Sequence, residues 1–261
     1  MNPYINQLFD LSAKHVVITG AGGHICGTMA RGLAQAGAAS VTVCDLRLEK
    51  AQEVVRQINN LGYTNTLALP MDITSKMSHQ DVLYQVLKQH GDCNVLINGA
   101  GINGATPFFD LTEEEWDNIM NSQIKGTMFG CQVFGRHMVD QCNGSIINIS
   151  SASADPPLSR AFTYSAAKAG IVNLTKNLAR EWGTQGVRVN AIRPGFFPTE
   201  WNQKNFITPE REAAILGHTS MQRYGETTEL IGATIFLASD ASSFVTGTEL
   251  TVDGGFACQT I

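Results

Sequence analysis

Tyr164 and Lys168 stand four residues apart in a stretch whose pattern predicts a helix. At that spacing both side chains lie on one helix face. Ser151 comes thirteen residues before Tyr164, at the end of a short apolar run, 144–150, that reads as a buried strand. A phenol, an ammonium and a hydroxyl meeting in one cleft suit the transfer of a proton to or from an alcohol oxygen. Free tyrosine, with a pKa of about 10, is protonated at neutral pH and so is no base there. A neighbouring lysine cation favours the phenolate and lowers that value. Tyr-x-x-x-Lys also arises often by chance, so the pair gains weight only from what the rest of the chain places beside it.

The surrounding elements alternate. The β-branched run 15–19 stops at Gly20, as a strand does at a tight turn. Residues 20–27 are rich in glycine, and 29–36 have helical spacing closed by Gly37. Strand, glycine loop and helix form the geometry that brings backbone N–H groups onto a phosphate. A second strand, 40–44, has Asp45 at its carboxyl end, where an acid can hold a ribose 2′-hydroxyl and repel a 2′-phosphate. Arg47 either softens that preference or is simply solvated. An amphipathic helix over 49–60 leads to a third strand, 65–70. Asp72 beyond it either contacts an adenine amino group or caps the helix that starts near Ser75.

Residues 94–98 form a fourth strand that ends at Asn98 and the small residues 99–101. A long helical pattern covers 111–141, opened by Thr112 and Glu115 in the manner of a capping box. The run 187–192 is a sixth strand, broken by Pro194 and Gly195. The segment 196–220 contains Pro198, Pro209 and Gly217, which should interrupt any helix, and is a candidate lid. A helix over 228–239 and a last strand over 249–252 complete the pattern. Strand–helix alternation implies an α/β fold, one doubly wound parallel sheet with helices on both faces. It forms a single domain, 15–261, preceded by an arm, 1–14, whose Leu8, Phe9 and Leu11 are placed to pack on the body. Ligands of such sheets lie at the carboxyl ends of the strands, where Gly20, Asp45, Asp72, Asn98, Ser151 and Pro194 all fall.

Composition narrows the function classes. The 261 residues are 43% hydrophobic and 16% charged, as in an ordinary globular protein. A net charge of −5 without any Lys/Arg block argues against nucleic-acid and anionic-membrane partners. No apolar run is long enough to span a bilayer, and no signal pattern opens the chain. The six cysteines show no CxxC or metal spacing, so reduced thiols, a cytoplasmic location and no metal are expected.

With these residues in place, the chain resembles the short-chain dehydrogenase/reductase family over essentially its whole length. The matching pieces are Thr19 with the glycine loop, Asp72, Asn98 to Gly101, Ser151, Tyr164 with Lys168, residues 190–195, Thr199 and 252–255. The resemblance implies a Rossmann-like fold and a sugar, polyol or sugar-acid oxidoreductase. It assigns Ser151 to the substrate oxygen, Tyr164 to acid/base work, and Lys168 to the nicotinamide ribose and the tyrosine pKa. Its dinucleotide contacts carry over to Gly20, Gly22, Gly23, His24, Ile25, Asp45, Asp72, Ile73, Asn98, Ala100, Gly101, Tyr164, Lys168, Pro194, Gly195, Phe197 and Thr199. It further implies a homotetramer or homodimer built on the two long helices. Two positions depart from the family pattern. His24 and Cys26 stand where the loop usually has its last two glycines, and Gln123 stands where the catalytic tetrad has asparagine.

The reading is reversible hydride transfer between a secondary alcohol and NAD, with NADP less favoured because of Asp45. Ser153, Asp155, Arg160, Phe196 and the 196–220 segment should line the substrate pocket. Polar Gln203, Asn205 and His218 suit a hydroxyl-rich substrate, and Arg160 or Lys204 a carboxylate. Phe196, Phe197, Trp201 and Phe206 suit an apolar substrate or plain packing. The alternatives are a 3-oxoacyl-thioester reductase and a catalytically silent dinucleotide-binding regulator. A sugar-nucleotide epimerase, which shares the Tyr–Lys pair, would need a larger C-terminal region.

Overall fold

The computed structural model describes residues 3–199 and 207–259. Seven strands form one sheet: β1 (His15–Thr19), β2 (Ser40–Asp45), β3 (Thr66–Pro70), β4 (Val95–Asn98), β5 (Gly144–Ile149), β6 (Val187–Pro194) and β7 (Glu249–Val252). Their order is 3-2-1-4-5-6-7, and every pairing is parallel. The helices are α1 (Pro3–Leu8), α2 (His24–Gln35), α3 (Leu48–Asn60), α4 (Lys76–His90), α5 (Glu113–Met120), α6 (Gly126–Asp140), α7 (Phe162–Trp182), α8 (Pro209–His218) and α9 (Ile231–Ala238).

Parallel strands need crossovers, and the crossover helices cover both sheet faces. Successive side chains of a strand therefore enter two separate cores. Val16 and Ile18 of β1 pack in the core with Met29 and Leu33 of α2, Ile58 of α3 and Leu237 of α9. Val17 packs in the other, with Val82 and Val86 of α4 and Phe134 and Met138 of α6. The chain leaves β1 for β2 on one side and reaches β4 on the other, which opens a crevice at the strands' carboxyl ends. The arm joins the body mainly through Leu11, which is fully buried, while Phe9 stays 42% exposed.

Five local features differ from expectation. Helix α2 starts at His24, five residues early, because its N-cap is Gly23, which makes no side-chain capping bond and leaves no signal in the sequence. Pro209 does not interrupt a helix but opens α8. Thr208 is the cap and accepts from the Arg211 N–H (3.2 Å), and proline suits the first turn because its missing N–H would have no partner there. Asp72 does not cap α4; Ser75 does, accepting from the Ser78 N–H. Asp72 instead accepts from the N–H and hydroxyl of Thr74. The long helix over 111–141 is divided by a π-turn at Asn121–Lys125, where the Thr127 hydroxyl donates to the Gln123 carbonyl at 2.7 Å. Thr112 caps α5, but Glu115 turns its carboxylate to the Thr106 hydroxyl rather than back to the cap.

A buried polar chain ties together the elements that carry the crevice. Asn98 at the end of β4 donates to Asn148 of β5 (2.9 Å), and Asn148 donates to Thr175 of α7 (2.9 Å). All three side chains are at most 5% exposed. Such groups cost free energy when a partner is removed. Asn148→Ala should therefore lower unfolding free energy by about 1–3 kcal/mol in urea titrations. An unchanged midpoint would show that the chain is not structural.

Candidate active site

Ser151 follows β5 and caps a short turn, Ala152–Ala154. Its oxygen accepts from the Ser153 N–H (3.2 Å) and the Ser153 hydroxyl (3.1 Å). A hydroxyl has two acceptor sites and one proton. With both acceptor sites engaged by Ser153, the Ser151 proton is left to point outward, and Tyr164 is its hydrogen-bonding neighbour. Tyr164 sits in the first turn of α7. Lys168, one turn later and 4% exposed, donates to the Ile149 carbonyl at 2.6 Å. Its ammonium lies 5.4 Å from the centre of the Tyr164 ring. The structure thus brings Ser151, Tyr164 and Lys168 together.

Burial dominates the titration of this group. It raises the Tyr164 phenol above its ordinary value, and the Ser151 hydrogen bond offsets part of the rise. In the protein alone the phenol is not lowered, contrary to the expectation for a tyrosine beside a lysine. The low-polarity surroundings set the direction, and Lys168, whose ammonium lies over the ring, does not offset them. Burial also lowers Lys168 to about 8. The one charge that would raise it is Cys26, itself pushed up to about 12 by burial and so an uncharged thiol at neutral pH.

The crevice at the head of α2 fits a dinucleotide. Gly20 has φ +69°, and a Cβ there would stand 2.7 Å from the Ala100 backbone, so two loops approach as only glycine permits. The Thr19 hydroxyl accepts from the N–H groups of Gly99 and Ala100 and fixes that approach. Neither departure in the loop closes the crevice. Cys26 is 5% exposed and packs into the core. His24 is exposed and points its Nε2 toward the Thr227 hydroxyl (3.5 Å). Asp45 accepts from the N–H of Gly22 and of Arg47, each at 3.1 Å, which fixes its carboxylate at the β2 end. Pro194, Gly195 and Phe197 lie at the end of β6, beside Ile25. Thr199 is half-buried at the edge of the described residues. Ile73 packs under Gly126, at the head of α6.

Gln123 takes a different position from that of a lysine partner. Its amide donates to the Ile102 carbonyl (2.7 Å) and packs on Gly101, so it braces the loop after β4. Its own Oε1 is buried without a partner among the described residues.

Next to Tyr164 lies a cleft of about 230 Å³. Ser151, Ser153, Arg160 and Phe196 line it. Asp155 does not; it is 82% exposed and reaches toward Arg193. His218 instead meets the Phe256 ring edge to face. Trp201, Gln203, Lys204, Asn205 and Phe206 lie outside the described residues. Asn103 also lines the cleft and was not foreseen; the 196–220 segment, expected at the pocket, reaches the cleft through three residues not singled out in the sequence, Ile207, Arg211 and Ile215. The signal for the last three was the cap Thr208 with Pro209, which marks a helix start where a broken segment was expected. Among the described residues no helix is long and apolar enough to cross a membrane, and no cluster has metal-ligand character.

Comparison with known proteins gives the same picture. The family model described as Enoyl-(Acyl carrier protein) reductase matches residues 20–257. A gluconate 5-dehydrogenase of Gluconobacter oxydans (strain 621H) is 33% identical, over 95% of this chain and 96% of the relative. An NAD-dependent glycerol dehydrogenase of Listeria innocua serovar 6a is 34% identical, over 96% of each. A gluconate 5-dehydrogenase structure from Burkholderia cenocepacia J2315, in complex with NADP and tartrate, has a TM-score of 0.93 at 32% identity. It covers 98% of this chain and 100% of its own.

The depressed Lys168 pKa has a consequence for stability. Between about 8 and the ordinary 10.5, the unfolded chain holds a proton that the folded chain has lost. The Lys168 contribution to stability therefore rises with pH across that window, because the unfolded state binds more protons there. The buried thiols Cys26, Cys44, Cys93 and Cys131, all raised by burial, act in the opposite sense above about pH 9, so the lysine is read as a difference between two proteins. From pH 8 to 10, wild type should gain up to about 3 kcal/mol relative to Lys168→Met, whatever the sign of the slope they share. Equal slopes in the two proteins would contradict it.

Proposed function

The chain belongs to the short-chain dehydrogenase/reductase family, an NAD(P)-dependent oxidoreductase acting on CH–OH groups, and we propose that Tyr164, Ser151 and Lys168 carry its reaction. The observation behind this is the convergence of Ser151 and Tyr164 on one cleft with Lys168 buried beneath. A bound nicotinamide supplies the hydride acceptor. In oxidation, Tyr164 takes the substrate hydroxyl proton as the carbon gives up hydride; in reduction it returns that proton to the alcohol oxygen. Ser151 donates its outward proton to the same oxygen, where negative charge develops. Lys168, in its protonated form, biases the neighbouring phenol toward ionisation once the site is filled. Gln123 holds the loop after β4 in place and touches none of the reacting atoms.

The favoured substrates are sugars, polyols and sugar acids. The names of the relatives support that class. The preferred cofactor is NAD. Asp45 is 12% exposed and locked by two backbone N–H groups, so its charge is set against a 2′-phosphate. Arg47 is 64% exposed and 4.0 Å from that carboxylate, too loosely held to reverse the preference. Phe108, Phe109 and Phe162 expose a contiguous aromatic face beside α5 and α7, which supports self-association there.

Tyr164→Phe should lose about 10²- to 10⁴-fold in kcat while binding NADH as before. Near-full turnover in that variant would remove the assignment. Asp45→Ala should improve NADP use relative to NAD by about tenfold or more. A wild-type protein that already binds NADPH more tightly than NADH would refute the cofactor reading.

A further inference from the structure

We propose that Arg160 and Arg211 form a carboxylate-binding end of the substrate cleft, so that the enzyme selects polyhydroxy acids over the corresponding neutral polyols. This rests on the cleft beside Tyr164 being the reaction site. Arg160 and Arg211 are the charged residues among those described that line the cleft, and no Asp or Glu joins them. Two cations in one cleft, on a chain of net charge −5, mark a place built for an anion. Among the described residues neither guanidinium forms a salt bridge.

Each arginine also sits where its local structure does not favour it. Arg211 is the third residue of α8, in the first turn, where the helix dipole favours acids; its neighbours Glu210 and Glu212 obey that rule and it does not. Arg160 has φ +59°, in the left-handed region that non-glycine residues rarely adopt. Local strain of this kind collects at ligand sites. Two such residues facing one cleft make a shared task the economical explanation.

Arg211 is tied to the loop that carries Arg160. Arg211 donates to the hydroxyl of Ser159, the residue before Arg160, at 3.3 Å. That single long bond leaves most of the guanidinium donors of Arg211 for a planar carboxylate. Arg160 lines the same cleft as Tyr164 and Ser151, so an acid group held there leaves the carbon chain in the cleft they share. Arg211 is thus a specificity residue rather than a catalytic one. A bound carboxylate would also link α8 to the loop before α7.

The test compares D-gluconate with D-sorbitol and D-mannonate with D-mannitol, pairs that differ at the acid carbon. Wild type, Arg211→Gln, Arg211→Lys and Arg160→Gln are measured with NAD, and D-gluconate binding to the NADH-bound protein is followed by calorimetry. Wild type should prefer the acids. Arg211→Gln should raise KM for them roughly ten- to hundredfold, with kcat changed less than about threefold. The corresponding effect on the polyols should be much smaller. Arg211→Lys should restore part of the acid affinity, and far-UV melting checks that each variant is folded. An acid preference that survives in both Gln variants overturns the clamp but leaves the proposed reaction intact. So does a wild type that prefers the neutral polyols. Absence of both binding and turnover with all four compounds defeats the clamp and the substrate class together.

Discussion

The site depends on one constraint, the burial of an ammonium group beside a phenol. Lys168 is held under the sheet edge by a single short bond to the Ile149 carbonyl, and its ammonium sits over the Tyr164 ring. Burial makes each partner reluctant to ionise, which raises the phenol and lowers the amine. That opposition drives their proton affinities apart: the amine falls to about 8 while the phenol rises above its ordinary value, where in water the two nearly coincide. The empty pair is therefore not poised for base chemistry, and ionising the phenol depends on the charge that a filled crevice adds beside it.

The remainder of the fold holds this pair in register. β5 supplies the Ile149 carbonyl and ends at Ser151, whose acceptor sites are taken up by Ser153. The Asn98–Asn148–Thr175 chain fixes β4, β5 and α7 relative to one another beneath the site. On the other side of the crevice, Thr19 ties the end of β1 to the loop after β4, and Asp45 is locked to the glycine loop. Phosphate-loop chemistry and proton chemistry thus meet along one sheet edge because parallel strands bring all their carboxyl ends to the same side.

Much of this was legible in the chain. Runs such as 15–19 and 144–149 are β-branched or apolar on both faces, as strands buried between two helix layers must be, and glycines and acids mark their ends. The spacing of Tyr164 and Lys168 follows directly from helix geometry. What escaped was set by contacts rather than by pattern. Gly23 caps α2 with no side chain, so the helix start was invisible. Pro209 reads equally as a breaker and as a first-turn residue, and only the Thr208 cap decides. Misreading it hid α8 and with it Arg211. The destination of the Gln123 amide depends on a π-turn and on the missing side chain of Gly101, neither of which periodicity records. The expected lowering of the tyrosine pKa came from distance along a helix, which says nothing about how dry the site is.

The central claim is that Lys168 controls the acidity of Tyr164. A ¹³C-tyrosine NMR titration of Tyr164 in the NAD complex, in wild type and in Lys168→Met, measures this directly. The phenol should ionise at clearly lower pH in wild type than in the variant. Coincident titration curves would contradict the account.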